Sequence, residues 1–557
     1  MASGLLGISL TGLNAAQANL ATTSQNISNV NTAGYHRQST NLATANPTTA
    51  SYGSIGNGVD VASVGRAYSS FLDNQVISSQ GQLSNYQTYS QYATQLNSLL
   101  GDQNSALSTS ISNFFSSLQN VANDPTSIVA RQTAISAGTG LAGQFSNVSS
   151  GIADIQQSVN QQVQTISSQV TAYAQSVASL NSQIAVAQSS NGANANTLMD
   201  QRDQLVADIN KLVNVTVVNQ AGSGYNLYLG NGQPLVVGTT ANGLSAVSNP
   251  ADPIQMQPAL QVGNSQVVLD STQITGGQLG GLLSFRDQML VPTQRELGNV
   301  AYTLATQVNA QSTQGFDLNG TAGTSFFNTP SIQSPIANKN NTGTGVLSLA
   351  VTNSNLLANS DYKLSYDGTN YTLTRSSDGT SYSNGSLAGL STTVQASEGF
   401  SLGLTSGTIN ANDTYLIRPT QYSANSFSVE ITDPTKIAAA GPGATATVSA
   451  GPGDNSNALA MAQLQTSKLL SNGTATLQTA FNQIVGGNAT LTNAATVNQT
   501  SYQTLTDQAT QAQQSFSGVN LDEEAANMIQ YQQAYQAAAK ALQVASSLFN
   551  TILTAIQ

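Results

Sequence analysis

A long run of apolar residues with heptad spacing is the feature that most constrains the fold. From Val159 to Ile184 the apolar residues follow one another at alternating intervals of four and three. This spacing places them on one stripe of an α-helix and is typical of helices that pack with a left-handed supercoil. At 1.5 Å per residue, a helix over residues 152–184 is about 50 Å long. We interpret it as part of an internal helix bundle; a dedicated partner-binding coiled coil is the alternative.

Stripes of the same kind lie at both ends of the chain. The first stops at residues 29–34, where Asn and Gly favour a turn, and the second begins at three consecutive acidic residues, which suit a helix N-terminus. Both terminal helices therefore need an apolar partner. The predicted assembly residues are Leu6, Leu10, Leu13, Leu20, Ile27, Leu521, Met528, Tyr535, Leu542, Phe549, Ile552 and Ile556.

The middle of the chain has the period of β-strands. Residues 213–217 and 225–229 alternate as half-buried strands do, and residues 362–374 have the pattern of a hairpin. A helix-like stretch at 282–314, kinked or restarted at Pro292, interrupts the strands, and helical pattern returns at Asn457. The predicted fold class is α+β multidomain, with long terminal helices in coiled-coil or bundle layers and β-rich domains inserted in the middle.

Composition excludes several classes of function. Charged residues make up 7% of the chain, against roughly 25% in ordinary soluble proteins. The 14 basic residues are scattered, so nucleic-acid binding is not expected. The chain has no Cys and one His, which argues against a metal or other cofactor. No apolar run is long enough for membrane insertion, and the N-terminus lacks the basic region of a conventional signal peptide.

Four groups of residues are candidates for catalytic or ion-binding sites. Asp200 and Asp203 are a conceivable acid/base pair, but a salt-linked helix surface or a polar anchor between helices is the simpler interpretation. Residues 522–524 diverge around a helix and suit its N-terminus better than a cation. Residues 317–320 lack the rest of a calcium loop and predict a turn. His36 is interpreted as a solvated loop residue beside Arg37. No enzyme is predicted.

Several segments resemble a known family. Residues 25–35 (QNISNVNTAGY) and 517–535 (SGVNLDEEAANMIQYQQAY) are similar to the terminal signatures of bacterial flagellar axial proteins. Segments 198–203, 281–287 and 453–460 resemble the hook-associated proteins of the hook–filament junction, the FlgK family. Ala33 stands where Pro is expected and His36 where Ser is expected, and residues 330–450 match weakly. The family-motif residues are Asn26, Asn29, Asn31, Thr32, Gly34, Asn520, Leu521, Glu523, Glu524 and Ala525.

The resemblance implies a secreted structural protein of the flagellum. It implies export through the flagellar type III apparatus and polymerisation at the distal end of the hook. The implied partners are further copies of the chain, the hook protein, the next junction protein and a cytosolic export chaperone on the C-terminal helix. The implied division is an N-terminal axial helix (1–40), a helical domain with the long helix (41–212), a β-rich domain with an internal helix (213–330), an outer β-rich domain (331–450), a helical return (451–515) and a C-terminal axial helix (516–557).

Three alternatives stay open on the sequence. Another axial protein, such as the second junction protein or the hook protein, shares the terminal signatures. A secreted carboxylate-dependent wall hydrolase requires Asp200 and Asp203 to be catalytic. A secreted adhesin requires the central β domains to carry the binding function.

Overall fold

A computed structural model describes residues 2–50, 53–101, 107–191, 195–220, 224–230 and 232–556. Helices dominate both ends of the chain, as the sequence predicts. The α-helices are α1 (Ala2–Ser28), α2 (Ser70–Gly101), α3 (Leu107–Asn123), α4 (Ile128–Asn191), α5 (Asn196–Leu212), α6 (Gly277–Phe285), α7 (Val291–Ser312), α8 (Leu387–Glu398), α9 (Ser456–Gln463), α10 (Leu477–Ser517) and α11 (Leu521–Ile556).

The strands are concentrated between α5 and α9. An exception is a pair of hairpins between α1 and α2, which the sequence analysis did not predict. The strands are β1 (Gln38–Thr44), β2 (Thr48–Ala50), β3 (Gly53–Ile55), β4 (Val59–Arg66), β5 (Val215–Asn219), β6 (Tyr225–Leu229), β7 (Pro234–Val237), β8 (Thr240–Ala241), β9 (Leu244–Ser248), β10 (Met256–Val262), β11 (Ser265–Val268), β12 (Ile336–Ala337), β13 (Val346–Val351), β14 (Tyr362–Tyr366), β15 (Tyr371–Arg375), β16 (Ser381–Asn384), β17 (Phe400–Ser406) and β18 (Thr414–Ile417).

The heptad stripe of the first half lies on α4, a helix of 64 residues. The side chains of Val159, Val163, Ile166 and Val170 on that stripe are fully buried. Helices α3 and α5 and the strands β9 and β10 pack against α4, so the stripe faces the interior of its own chain. The interpretation of an internal bundle is confirmed for this helix.

The sequence predicts a kink or a restart at Pro292, and the structure has an irregular but unbroken helix there. Helix α6 continues through one π-helical segment, Arg286–Leu290, into α7, which carries Pro292 in its first turn. Leu290 and Val291 keep right-handed helical backbone angles, so Pro292 lies within one continuous helix and removes a backbone N–H donor from it. The buried Arg286 guanidinium donates to the Met256 carbonyl at 2.9 Å, so this segment ties the helix to strand β10.

The central strands form antiparallel sheets. One has the order β5–β6–β7–β8, another β11–β10–β9, and a third β12–β18–β14–β15–β16. The hairpin predicted over 362–374 is present as β14 and β15, paired from Tyr362–Arg375 to Tyr366–Tyr371. The predicted turn after Asp317 is also confirmed, since the Asp317 carboxylate accepts backbone N–H groups of Asn319 and Thr321, both at 2.9 Å.

The buried apolar side chains group into two hydrophobic cores. The larger core joins helices α2 to α7, α9 and α10 with the sheets of residues 215–269, and we call this part the body. Its rings include Phe114, Phe326, Phe327 and Phe427, with neighbouring centroids 4.5–5.3 Å apart. The smaller core consists of residues within 347–417 together with Tyr302 of α7, and it is the centre of the outer domain. The six-segment division stays a prediction.

A buried ion cluster joins the outer domain to the body. Arg418, just after β18, donates to Asp252 of the body at 2.6 Å and to Asp361 of the outer domain at 3.1 Å. Arg295 of α7 lies 3.4 Å from the same Asp361 carboxylate. Burial lowers the pKa of Arg418, but the two carboxylates outweigh it and raise that pKa.

Candidate functional site

The two terminal helices pack against each other. Helices α1 and α11 are antiparallel, and we call them the terminal helix pair. A Cβ atom added at Gly12 would lie 3.8 Å from the Cβ of Ala538, so small residues allow close approach. Ala545 is fully buried, and Leu6 and Leu542 line one groove between the helices. The partner that each apolar stripe requires is therefore, in part, the other end of the same chain.

The predicted assembly residues divide into two groups in this structure. Leu6, Leu13, Leu20, Ile27, Met528 and Leu542 are half-buried. The exposed members are Leu10, Leu521, Tyr535, Phe549 and Ile552. The side chain of Ile556 lies outside the described residues. Their role in assembly stays a prediction.

Other apolar residues of the pair face away from the partner helix. Leu5 and Ile8 of α1 are 48% and 37% exposed, and Ile529, Val544 and Leu548 of α11 are 51–58% exposed. The sequence analysis missed this second set. Single exposed apolar residues are ordinary, but several on one helix pair mark a surface for further association.

The turn after α1 is held by the family-motif residue Asn26, which is almost fully buried. Its side-chain oxygen accepts the Tyr35 hydroxyl at 2.8 Å and the Gln38 N–H at 2.9 Å, and its amide donates to the Gln38 carbonyl at 2.9 Å. Burial, with the charges of Asp200 and Glu524, raises the pKa of Tyr35 to about 12. These bonds fix the direction in which the chain leaves α1.

The other motif residues complete the turn. Thr32 donates its hydroxyl to the Asn29 side chain at 3.1 Å. Gly34 has φ +74°, and an added Cβ would lie 2.7 Å from the Gln204 amide oxygen. Only glycine meets both requirements without strain. No side-chain hydrogen bond involving Asn31 is present among the described residues, and Asn31 is exposed.

The start of α11 is bound to the same turn. The Asn520 side chain accepts the N–H of Asp522 at 3.0 Å, as an N-cap does. The Arg37 N–H donates to the Ser517 carbonyl at 2.8 Å, and the Arg37 guanidinium pairs with Glu523 at 3.0 Å. The two motifs are therefore parts of one structural unit, although nearly 500 residues separate them.

A cluster of charged residues joins this turn to the body, and we call it the joint cluster: His36, Arg66, Asp73, Asp200 and Asp203. His36 Nδ1 lies 2.8 Å from Asp200 Oδ1, and its Nε2 lies 3.8 Å from Asp73. His36 is only 5% exposed, so the prediction of a solvated loop residue was wrong. Burial lowers its pKa, but hydrogen bonds to Asp200 and Asp73 outweigh burial and raise the pKa to about 9.

Asp200 and Asp203 are the polar anchor that the sequence suggested. One nitrogen of Arg66 binds both carboxylates, at 2.8 and 2.6 Å. Burial raises the pKa of Asp203 in spite of Arg66. Arg202 stacks on the Tyr225 ring, with its guanidinium carbon 3.4 Å from the ring centroid. These contacts hold α5 between the turn and strand β6, so the role of Asp200 and Asp203 is structural.

Sequence reasoning missed Arg66 and Asp73, because no local pattern pairs residues so far apart in the chain.

A cavity of about 310 Å³ lies beside the joint cluster, lined by Asp73, Val76, Val206 and Val217 among others. Among the described residues, no cluster of three or more His, Asp or Glu side chains could hold a metal ion. Within the same residues, every helix is too short or too polar to span a lipid bilayer.

Family models of flagellar proteins match four segments of the chain. The family model "Flagellar hook-associated protein FlgK helical domain" matches residues 93–327, and the D2-like domain of flagellar hook-associated protein 1 matches 336–419. Flagellar basal-body rod models match both termini, at 6–36 and 510–555. The chain is 38% identical to flagellar hook-associated protein 1 of Salmonella typhimurium over 558 residues, which is 99% of each chain.

The chain belongs to the FlgK family of flagellar hook-associated proteins. It is also 35% identical to the Escherichia coli K12 relative, again over 99% of each chain. The structure of the flagellar hook junction protein FlgK from Burkholderia pseudomallei superposes with a TM-score of 0.72 at 30% identity, covering 80% of this chain and all of that one. The resemblance seen in the sequence is thereby confirmed, including the outer domain that matched weakly.

Membership of the FlgK family fixes the general role. The chain is a structural component of the extracellular bacterial flagellum, and its family is not an enzymatic one. Both termini match rod-protein models, which places the chain among flagellar components that associate with other axial proteins. The family also decides against the hook protein and the second junction protein as its identity.

Proposed function

We propose that this protein polymerises at the distal end of the hook and joins the hook to the filament. The observation that carries the proposal is the terminal helix pair, which keeps Leu5, Leu10, Val544 and Leu548 about half exposed after packing on itself. The whole-chain likeness to hook-associated proteins supports the location. In the polymer, terminal pairs of neighbouring subunits cover these side chains and form the inner layer, and the outer domain faces outward.

The joint cluster gives the inner layer a defined orientation. His36 and Arg37 lie between α1 and the body. His36 binds Asp200 of α5, and Arg37 binds Glu523 of α11. A pair of helices held in this way projects from the body in one direction. Such preorganisation lowers the entropic cost of adding each subunit to the polymer.

Export precedes assembly in the proposal. The chain passes unfolded through the flagellar type III apparatus, and a cytosolic chaperone covers the apolar residues of α11 beforehand. This is supported by the many exposed apolar side chains of α11, such as Ile529 and Leu553. It is also supported by the rod-type signatures at both ends. Hook protein and the next junction protein are the proposed neighbours of the assembled polymer.

The location is tested by gold labelling of a tagged full-length protein on isolated flagella. We expect label in one narrow zone between hook and filament, and bare hooks in a strain without the gene. A variant lacking residues 336–419 is the control against the adhesin alternative. It should still form the junction, because the joint and the terminal pair are intact. Label that spreads along the filament would refute the proposal. Filaments in the strain without the gene would refute it as well.

A further inference from the structure

Helix α11 carries two opposite charges on its outward side. Asp522 and Lys540 are both exposed, and neither makes an ion pair among the described residues. Lys540 is the only cation of the terminal helix pair. In a helix pair with so few charges, an exposed lysine without a partner calls for a physical explanation.

The two charges lie on the same face. They are 18 residues apart in the sequence, which is about five helical turns, and the rise between them is about 27 Å. Ile529 and Val544 fall close to the same line along the helix and are 58% and 55% exposed. This stripe points away from α1, since Ala538, Leu542 and Ala545 occupy the side that packs on it.

We propose that this stripe binds α11 of a second copy of the chain, displaced by about five helical turns, so that Lys540 of one copy pairs with Asp522 of the next. The inference rests on the proposed function and adds the register of assembly to it. Charge complementarity identifies a second copy of α11 as the binding partner, because the same stripe carries one negative and one positive side chain at a fixed spacing. The exposed Ile529 and Val544 give the contact its apolar area, and the ion pair selects the stagger.

The direction of displacement follows from polymer symmetry. Repeated units of an open helical polymer point the same way, and each uses two different patches to meet its neighbours. Asp522 and Lys540 are then the two patches, and every subunit uses both. A two-fold dimer with antiparallel helices satisfies the same charges without a stagger, so the experiment has to separate the two geometries.

Disulfide cross-linking separates them, because the chain contains no Cys of its own. The double variant Asp522→Cys/Lys540→Cys cannot close within one chain, since a disulfide requires Cα atoms about 4.4–6.8 Å apart. Oxidised flagella from cells carrying this variant should give a ladder of multimers. Each single variant and the off-register control Asp522→Cys/Gln533→Cys, which keeps both cysteines on the same side of the helix, should give monomers. Three results for the double variant would overturn the proposal: cross-linking that stops at dimers, cross-linking only to another protein, and no cross-linking.

Charge exchange is the second measurement. Lys540→Glu should lower the number of filaments per cell at least tenfold, and Asp522→Lys/Lys540→Glu should restore most of them. Gln533→Glu adds a carboxylate to the same side of the helix without removing the pair, and it should keep near-normal filament numbers. Equal filament numbers for Lys540→Glu and the parent protein would contradict the inference. Absence of the parent protein from the junction would instead refute the proposed function, so the two failures are distinguishable.

Discussion

Replacing His36 tests whether the joint cluster holds the terminal helix pair to the body. The pKa of His36 is raised to about 9 in the folded protein, from an ordinary value of about 6.5. The difference of about 2.5 pKa units corresponds to at most about 3 kcal/mol of stability. Because the folded-state pKa is raised, this contribution is fully present below about pH 6.5. It is lost as the pH rises through about 9.

The variant His36→Gln removes the titrating group and keeps a polar side chain in the site. At pH 6 we expect the joint of the parent protein to be more stable than that of the variant by about 2–3 kcal/mol. The difference should shrink steadily between pH 6.5 and 9.5. Hydrogen exchange of residues 30–37 and 196–213, followed against pH, measures the local free energy of opening.

Asp200→Asn provides the matched control, since it removes the main partner of His36. The double variant should be little worse than Asp200→Asn alone, because Asp200→Asn already removes the His36 contact together with the contact to Arg66. Parallel pH profiles for the parent protein and His36→Gln would show that the charge of His36 does not stabilise the joint. The joint would then be held by Arg66 and packing alone.

Three further substitutions, one of them with a matched control, test the packing of the body and the outer domain. Gly298→Ala should lower the free energy of unfolding by about 1–3 kcal/mol, because a Cβ atom there meets the Thr420 carbonyl. The matched control Gly143→Ala places its Cβ in open space and should raise the free energy of unfolding by up to about 1 kcal/mol. Thermal melting of the two variants compares them directly. Phe327→Ala should cost about 3–5 kcal/mol from the buried ring cluster, and a loss below 1 kcal/mol in urea unfolding would contradict that packing. Arg418→Met should cost about 3–5 kcal/mol, because it leaves the buried Asp252 unpaired and Asp361 with Arg295 as its remaining ion-pair partner. Proteolysis should then release residues 336–419 faster than in the parent protein.

Local patterns in the sequence determined the elements of this protein. The spacing from Val159 to Ile184 specified a long helix with one buried stripe, since a stripe of that length has no other way to leave water. The alternation over 362–374, with Asp367 and Gly368 between the runs, specified a hairpin. The terminal motifs pointed to flagellar axial proteins, and the inner segments at 198–203, 281–287 and 453–460 pointed to the FlgK family. The strands at 38–66 were not predicted, because β1 is mostly polar and exposed and the alternation in β4 ends after Val61.

Tertiary structure alone decided which elements meet. The stripes at the two ends showed that each helix needs a partner, but α1 and α11 are the first and last helices of the chain, and no sequence period encodes a contact at that separation. His36 was misjudged for the same reason. Its neighbours in sequence are polar, and its partner Asp200 lies 164 residues away. Apolar periodicity is a local property that the chain carries unfolded, whereas the pairing of buried charges exists only once distant segments have excluded water from the same place.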